Sequence, residues 1–254
     1  MNITAIQFRT DQSGPHEVKC LYNVCGVPYS SFTFIHALHD DWDAISIDQL
    51  KKHTDLWLIL GWGEAGYEST DPFWIEKLEI AKNRIKPLIL DLVKEKMPLV
   101  GICFGFQIMT DALGGKLEVR PDMSEGGIFD VTLTNEGRGH ELFTGMADMF
   151  KGVMGHKTSV VALPKDAIVL ARSQKCPIQA AQFSDRAFGF TFHPELSHHD
   201  LVERIKLYQD YVQDQKDMEY FDVQTARIMR NIIEMFSNKS KLRKKEARFS
   251  SHSL

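Results

Sequence analysis

Long apolar runs are missing from this chain. No stretch of its 254 residues approaches the roughly 18 apolar residues that a membrane-spanning helix needs, so no membrane role is expected. Cysteine is scarce and scattered: Cys20, Cys25, Cys103 and Cys176 make no disulfide framework, and Cys20 with Cys25 lacks a second ligand pair at zinc-finger spacing. No metal is therefore expected, and a reducing, cytoplasmic setting is. No signal-peptide pattern opens the sequence. There is no Gly-x-x-x-x-Gly-Lys-Ser/Thr loop to cradle nucleotide phosphates, and no other cofactor signature. A strong excess of one charge is also absent; a formal net charge of -4 gives no general reason to expect nucleic acid or an anionic membrane as a partner.

What is present, 43% hydrophobic and 25% charged residues, suffices for the full core of one large α/β domain. The expected organisation is a domain over 1–200, a helical extension over 201–236 and a basic tail over 237–254. Leu201, Val202, Ile205, Tyr208 and Tyr211 predict one amphipathic helix of the extension; Ile228, Met229, Ile232, Ile233 and Phe236 predict another. Six basic residues between Lys239 and Arg248 give the tail a disordered character, with a localisation or nucleic-acid role as the alternative.

Along the first half, Ile3 to Phe8 predicts a strand. Thr10 to Ser31 has no usable period. Phe32, Ile35, Ala37 and Leu38 suggest a short helix, Ala44 to Ile47 a short strand, and Leu56 to Leu60 a buried strand. Phe73 to Lys96 carries helical spacing, with Pro87 dividing or kinking it, and Pro98 ends it before the apolar Leu99 to Ile102. Strand, helix and strand in this order make the crossover that builds a parallel sheet. Beyond Gly115, six short strand-like segments from Lys116 to Phe192 suggest partly antiparallel strands.

Two stretches carry chemistry. Gly101-Ile102-Cys103-Phe104-Gly105 sits where a strand gives way to a helix. Glycines permit the sharp turn, the side chain between them is held up at the strand end, and the new helix's N–H groups favour a thiolate and can donate to an oxyanion. A buried core cysteine is the alternative reading of Cys103. At Phe192-His193-Pro194-Glu195, a histidine and a carboxylate two residues apart follow an apolar strand, so that Glu195 can orient the His193 imidazole; a structural histidine is the alternative. A thiol with a pKa of about 8.5 is only a few per cent ionised at pH 7 and needs such a base. Gly61-Trp62-Gly63, just past a buried strand, supplies a second backbone N–H beside that of Phe104, or is an ordinary tight turn. Together these are the parts for acyl transfer through a thioester.

The arrangement resembles the class I, triad-type glutamine amidotransferases, including the glutaminase domains of GMP synthase-like proteins. Their Gly-x-Cys-x-Gly-x-Gln elbow is matched by Gly101 to Gln107, and their Phe-His-Pro-Glu by Phe192 to Glu195. Gly114-Gly115, Glu125-Gly126-Gly127 and the strand from Leu58 to Gly63 agree as well, so the likeness spans roughly residues 40–200. It implies a flavodoxin-like, open, mostly parallel sheet flanked by helices, with no cofactor. It implies Cys103 as nucleophile, His193 as base and Glu195 as its orienter, acting on the side-chain amide of glutamine. Gln107 and the backbone at Gly127 would hold substrate, with Met154 and His156 nearby. Trp62 replaces the glycine or serine of many relatives and is a candidate gate. Nothing in the chain can use ammonia. The favoured reading is a glutaminase serving a separate ammonia-accepting synthetase; a free-standing γ-glutamyl amide or peptide hydrolase and a non-catalytic binding module on the same fold are the alternatives.

Overall fold

The computed structural model describes residues 1–207 and 224–237. In chain order its elements are β1 (Ile3–Gln7), α1 (Ser13–Cys25), β2 (Phe32–His36), α2 (Ile47–His53), β3 (Leu56–Ile59), α3 (Pro72–Lys94), β4 (Leu99–Ile102) and α4 (Phe104–Ala112). There follow β5 (Lys116–Val119), β6 (Glu125–Leu133), α5 (Asn135–Arg138), β7 (Met149–His156), β8 (Thr158–Ala162), β9 (Ile168–Ser173), β10 (Ala180–Ser184), β11 (Ala187–Phe190) and α6 (His198–Leu207). Nine strands form one sheet in the order β2-β1-β3-β4-β11-β10-β9-β6-β7, and β5 pairs with β8 apart from it. From β2 to β11 every neighbour is parallel; from β11 to β7 every neighbour is antiparallel.

The parallel centre follows from composition. All four residues of β3 and of β4 are buried, as expected of strands covered on both faces. Successive side chains divide between the layers: Leu56 and Leu58 join a core with Leu21 of α1, while Trp57 and Ile59 join one with Leu78, Ile85 and Leu92 of α3 and Ile108 of α4. Helix α3 starts where Asp71 accepts from the Phe73 N–H at 2.8 Å with Pro72 in its first turn. It runs through Pro87 without ending. A helical segment over 226–237 buries Ile228, Met229, Ile232 and Phe236 in the same core as Leu58 and Phe188. Tyr208, Tyr211 and the tail over 238–254 lie outside the described residues.

Two local expectations are corrected, and one stretch without a usable period gains a helix. Phe32 to Leu38 is not a helix: Phe32–His36 is an edge strand parallel to β1, and its partly exposed residues lack the alternation of a half-buried strand. Ala44 to Ile47 is not a strand. A 3-10 turn occupies Asp40–Ala44, and Ser46 caps α2, its side chain accepting from the Gln49 N–H. The unreadable stretch from Thr10 to Ser31 contains α1, whose buried face is made of Ser13, Glu17, Cys20, Leu21 and Cys25, a helical stripe with one large aliphatic residue. Among the described residues no helix is long and apolar enough to cross a membrane.

Candidate active site

Strand β4 delivers Cys103 to the carboxyl edge of the sheet's parallel centre, where open α/β sheets bind ligands. Its backbone turns sharply there, with φ 53° and ψ -108°, a conformation that L-residues avoid and that the surrounding packing must hold. The two flanking glycines make the turn possible. A Cβ on Gly105 would stand 1.9 Å from the Ile59 carbonyl oxygen, and one on Gly101 would stand 2.6 Å from the Gly105 carbonyl. The Cys103 N–H donates to the Phe190 carbonyl at 2.7 Å, and its own carbonyl accepts from Gln107 N–H at 3.1 Å. Helix α4 thus begins at Phe104, whose N–H comes before the helix can supply an acceptor.

Strand β11 ends beside β4, with Phe190 opposite Ile102, and three residues later His193 is fastened by its N–H to the Val153 carbonyl at 2.9 Å. Its Nδ1 meets Glu195 Oε1 at 2.7 Å. His193 is 5% exposed and Glu195 1%. Burial alone would lower the imidazole's pKa; the Glu195 carboxylate and the Cys103 sulfur outweigh it and raise it to about 10. Burial likewise opposes ionisation of Glu195, and His193 reverses that, holding the carboxyl below its ordinary range. A Cβ on Gly61 would lie 3.2 Å from His193 Cε1, a tight contact, so a larger residue there would press the ring by a few tenths of an ångström.

Cys103, His193, Trp62, Gly63, Gly127 and Met154 line one cavity. Gly127 has φ 114° and pairs with Met154 across β6 and β7. Trp62 is packed against Phe8, Phe104 and Trp74, with ring centroids 5.8, 5.2 and 6.0 Å away, so its side chain is part of the aromatic core beneath the cavity. Gln107 and His156 are not among the described lining residues. Both reach the Thr158 carbonyl, Gln107 Nε2 at 2.9 Å and His156 Nδ1 at 3.2 Å, and His156 Nε2 meets Glu125 Oε2 at 3.2 Å. Gln107 thereby ties α4 to the start of β8, and His156 joins β7 to Glu125 of β6.

Sequence reasoning missed Arg9 and Arg204, which also line the cavity. Arg9 follows the first apolar strand at the same sheet edge, and Arg204 stands among Leu201 and Ile205 on the inward face of α6; a charge on an apolar stripe was the available signal. Of the other thiols, burial pushes Cys25 and Cys176 up to about 12 and also raises Cys20, which leaves each of them a poor nucleophile.

Residues 78–205 match the family Glutamine amidotransferase class-I. One subunit of the glutamine-hydrolysing GMP synthase of Methanosphaera stadtmanae is 32% identical over 154 residues, covering 60% of this chain and 72% of that one. The glutamine-hydrolysing GMP synthase of Malacoplasma penetrans is 34% identical over 160 residues, which are 62% of this chain but only 27% of that longer protein. In structure, a glutamine amidotransferase from Thermotoga maritima superposes with a TM-score of 0.69 at 18% identity, over 93% of this chain and 97% of that one, which supports the shared fold. With Gly101 to Gln107 and Phe192 to Glu195 meeting at one sheet edge inside the matched range, the chain belongs to the class-I glutamine amidotransferase family.

Proposed function

We propose that Cys103, His193 and Glu195 form the triad of a glutaminase that passes its ammonia to a separate synthetase. The observation that carries this reading is the buried Glu195–His193 pair sharing a cavity with the one cysteine at a strained strand-to-helix turn. Cys103 gives its thiol proton to His193, and its Sγ attacks the γ-carbonyl carbon of glutamine, so that a C–S bond forms as the carbonyl π bond opens onto oxygen. The oxygen takes the negative charge, and the Phe104 N–H and an N–H of the Gly61 to Gly63 turn donate to it. The C–N bond then breaks as the His193 proton passes to nitrogen, and ammonia leaves. Water, giving a proton to His193, attacks the thioester; the C–S bond breaks, glutamate departs and the proton returns to sulfur. Gln107 and His156, both on the Thr158 carbonyl, act as positioning residues.

The synthetase partner is supported by the Methanosphaera relative, which is itself one subunit of its synthase, and a cytoplasmic setting by four free cysteines. A second reading, cleavage of larger γ-glutamyl amides, is favoured by Arg204 in the cavity, whose buried Nη2 has no hydrogen-bond partner among the described residues and to which ammonia offers no counter-charge. The test is an assay of the purified protein on glutamine, alone and with a GMP synthetase partner. Slow turnover that rises when the partner is added supports the reading; brisk turnover alone, unchanged by the partner, overturns the partner-serving part of it.

A further inference from the structure

Arg204 has a hydrogen-bonding capacity that glutamine hydrolysis does not use. It is 7% exposed and lines the cavity of Cys103 and His193. Its Nε donates to His16 Nδ1 at 3.0 Å, which fixes the plane of the guanidinium, while its Nη2 is buried with no hydrogen-bond partner among the described residues. Arg9 is engaged: its Nε meets Glu17 Oε1 at 3.1 Å and its Nη1 donates to Ser13 Oγ at 3.0 Å. Trp62, on the same cavity, holds a second buried donor, Nε1, with no partner among the described residues. A buried cationic N–H that has given up water without gaining an acceptor is costly. A carboxylate matches it in both charge and planar geometry.

Position selects the half of the substrate concerned. Arg204 lines the cavity together with His193 and Leu196 and is among the charges that hold the Glu195 carboxyl below its ordinary range, and Arg9 Nη2 lies 3.2 Å from the point beside Gly61 that His193 Cε1 also approaches to 3.2 Å. The guanidiniums are therefore gathered on the His193 side, and His193 is the group that hands its proton to the departing nitrogen. We propose that Arg204 and the α6 wall bind a carboxylate on the departing half of the substrate, so that the enzyme also cleaves γ-glutamyl amides whose amine is an amino acid or short peptide. This rests on the triad reading: the same C–N bond breaks, the His193 proton goes to the amine, and an amino acid leaves in place of ammonia.

The experiment compares kcat/KM for γ-glutamylglycine, γ-glutamylglycinamide and glutamine in the wild type and in Arg204→Gln. The wild type should favour γ-glutamylglycine over its neutral amide by about 10- to 100-fold, the range of one hydrogen bond to a charged group. Arg204→Gln should bring that ratio close to one, mainly through KM. No cleavage of γ-glutamylglycine, no preference in the wild type, or a preference that survives in the variant overturns the proposal. An equal loss on all three substrates overturns it too, because Arg204 would then serve the γ-glutamyl half they share. Should the variant fail to fold, titration calorimetry of Cys103→Ala with the two amides gives the same contrast: tighter binding of γ-glutamylglycine sustains the proposal and equal affinity overturns it. Persistent turnover of all three by Cys103→Ser is a separate outcome that refutes the triad itself.

Discussion

The elbow and the α6 wall bound one cavity but hold their functional atoms by different means. At the elbow the main chain fixes the sulfur: Cys103 is pinned by its N–H to Phe190 and its carbonyl to Gln107, and Gly101 and Gly105 leave no room for a Cβ. On the α6 wall side chains do the holding, with Arg204 braced by His16 from a helix 188 residues away in sequence. The first arrangement gives a geometry that a small change destroys. The second gives a charge that can be exchanged without touching the sheet. On the proposed reading, the reacting groups sit on the parallel centre of the sheet, and the residue assigned to the departing half of the substrate sits on the helix that covers it.

The contrast is broken most severely at Gly105. Alanine there would drive a Cβ into a backbone carbonyl that cannot rotate away, and Gly105→Ala should lose at least about 3 kcal/mol or fail to fold, measured by thermal denaturation. A well-folded, active Gly105→Ala would show that the elbow is far more pliant than its packing indicates. Next in size, His193→Ala should lower kcat by about 10²–10⁴, the usual contribution of a general acid–base. Glu195→Gln should cost less and should act through pH. Glu195 is the largest influence raising His193, so its neutral replacement lowers the imidazole's pKa, and the imidazolium is lost at lower pH. The basic limb of the pH–rate profile must therefore move down in Glu195→Gln; an unmoved limb would detach Glu195 from the base. The smallest effect sharpens the comparison at Cys103 itself. Glycine accepts φ 53° without strain, so Cys103→Gly should melt above Cys103→Ala. Relief of about 1–3 kcal/mol of strain outweighs glycine's entropic cost of about 0.5–1 kcal/mol, a difference of roughly 2–4 °C in Tm.

The same contrast governs how much could be read from sequence. The elbow, α3 and the His193–Glu195 pair were legible because their signals are local: four buried residues, two glycines, a helical stripe, a spacing of two. Strand β7 was not foreseen, since Lys151, Gly152 and Gly155 interrupt any alternation and its strand character comes from eight register pairs with β6. Helix α1 was hidden because its inward face spends Ser13 and Glu17 on Arg9. Arg204 was hidden for a related reason. Its meaning depends on a distant histidine and on a cavity assembled from segments as far apart as Arg9, Cys103 and Gly127, neither of which any window of sequence contains.

The central claim is that Cys103 alone is the nucleophile, and covalent trapping tests it most directly. The protein would be treated at neutral pH with a glutamine-like diazoketone, digested, and its adducts mapped by mass spectrometry. Burial holds Cys20, Cys25 and Cys176 in the unreactive thiol form, so a single adduct is expected, on the peptide containing Cys103, and excess glutamine should suppress it. An adduct on Cys20, Cys25 or Cys176 with Cys103 left unmodified would contradict the account.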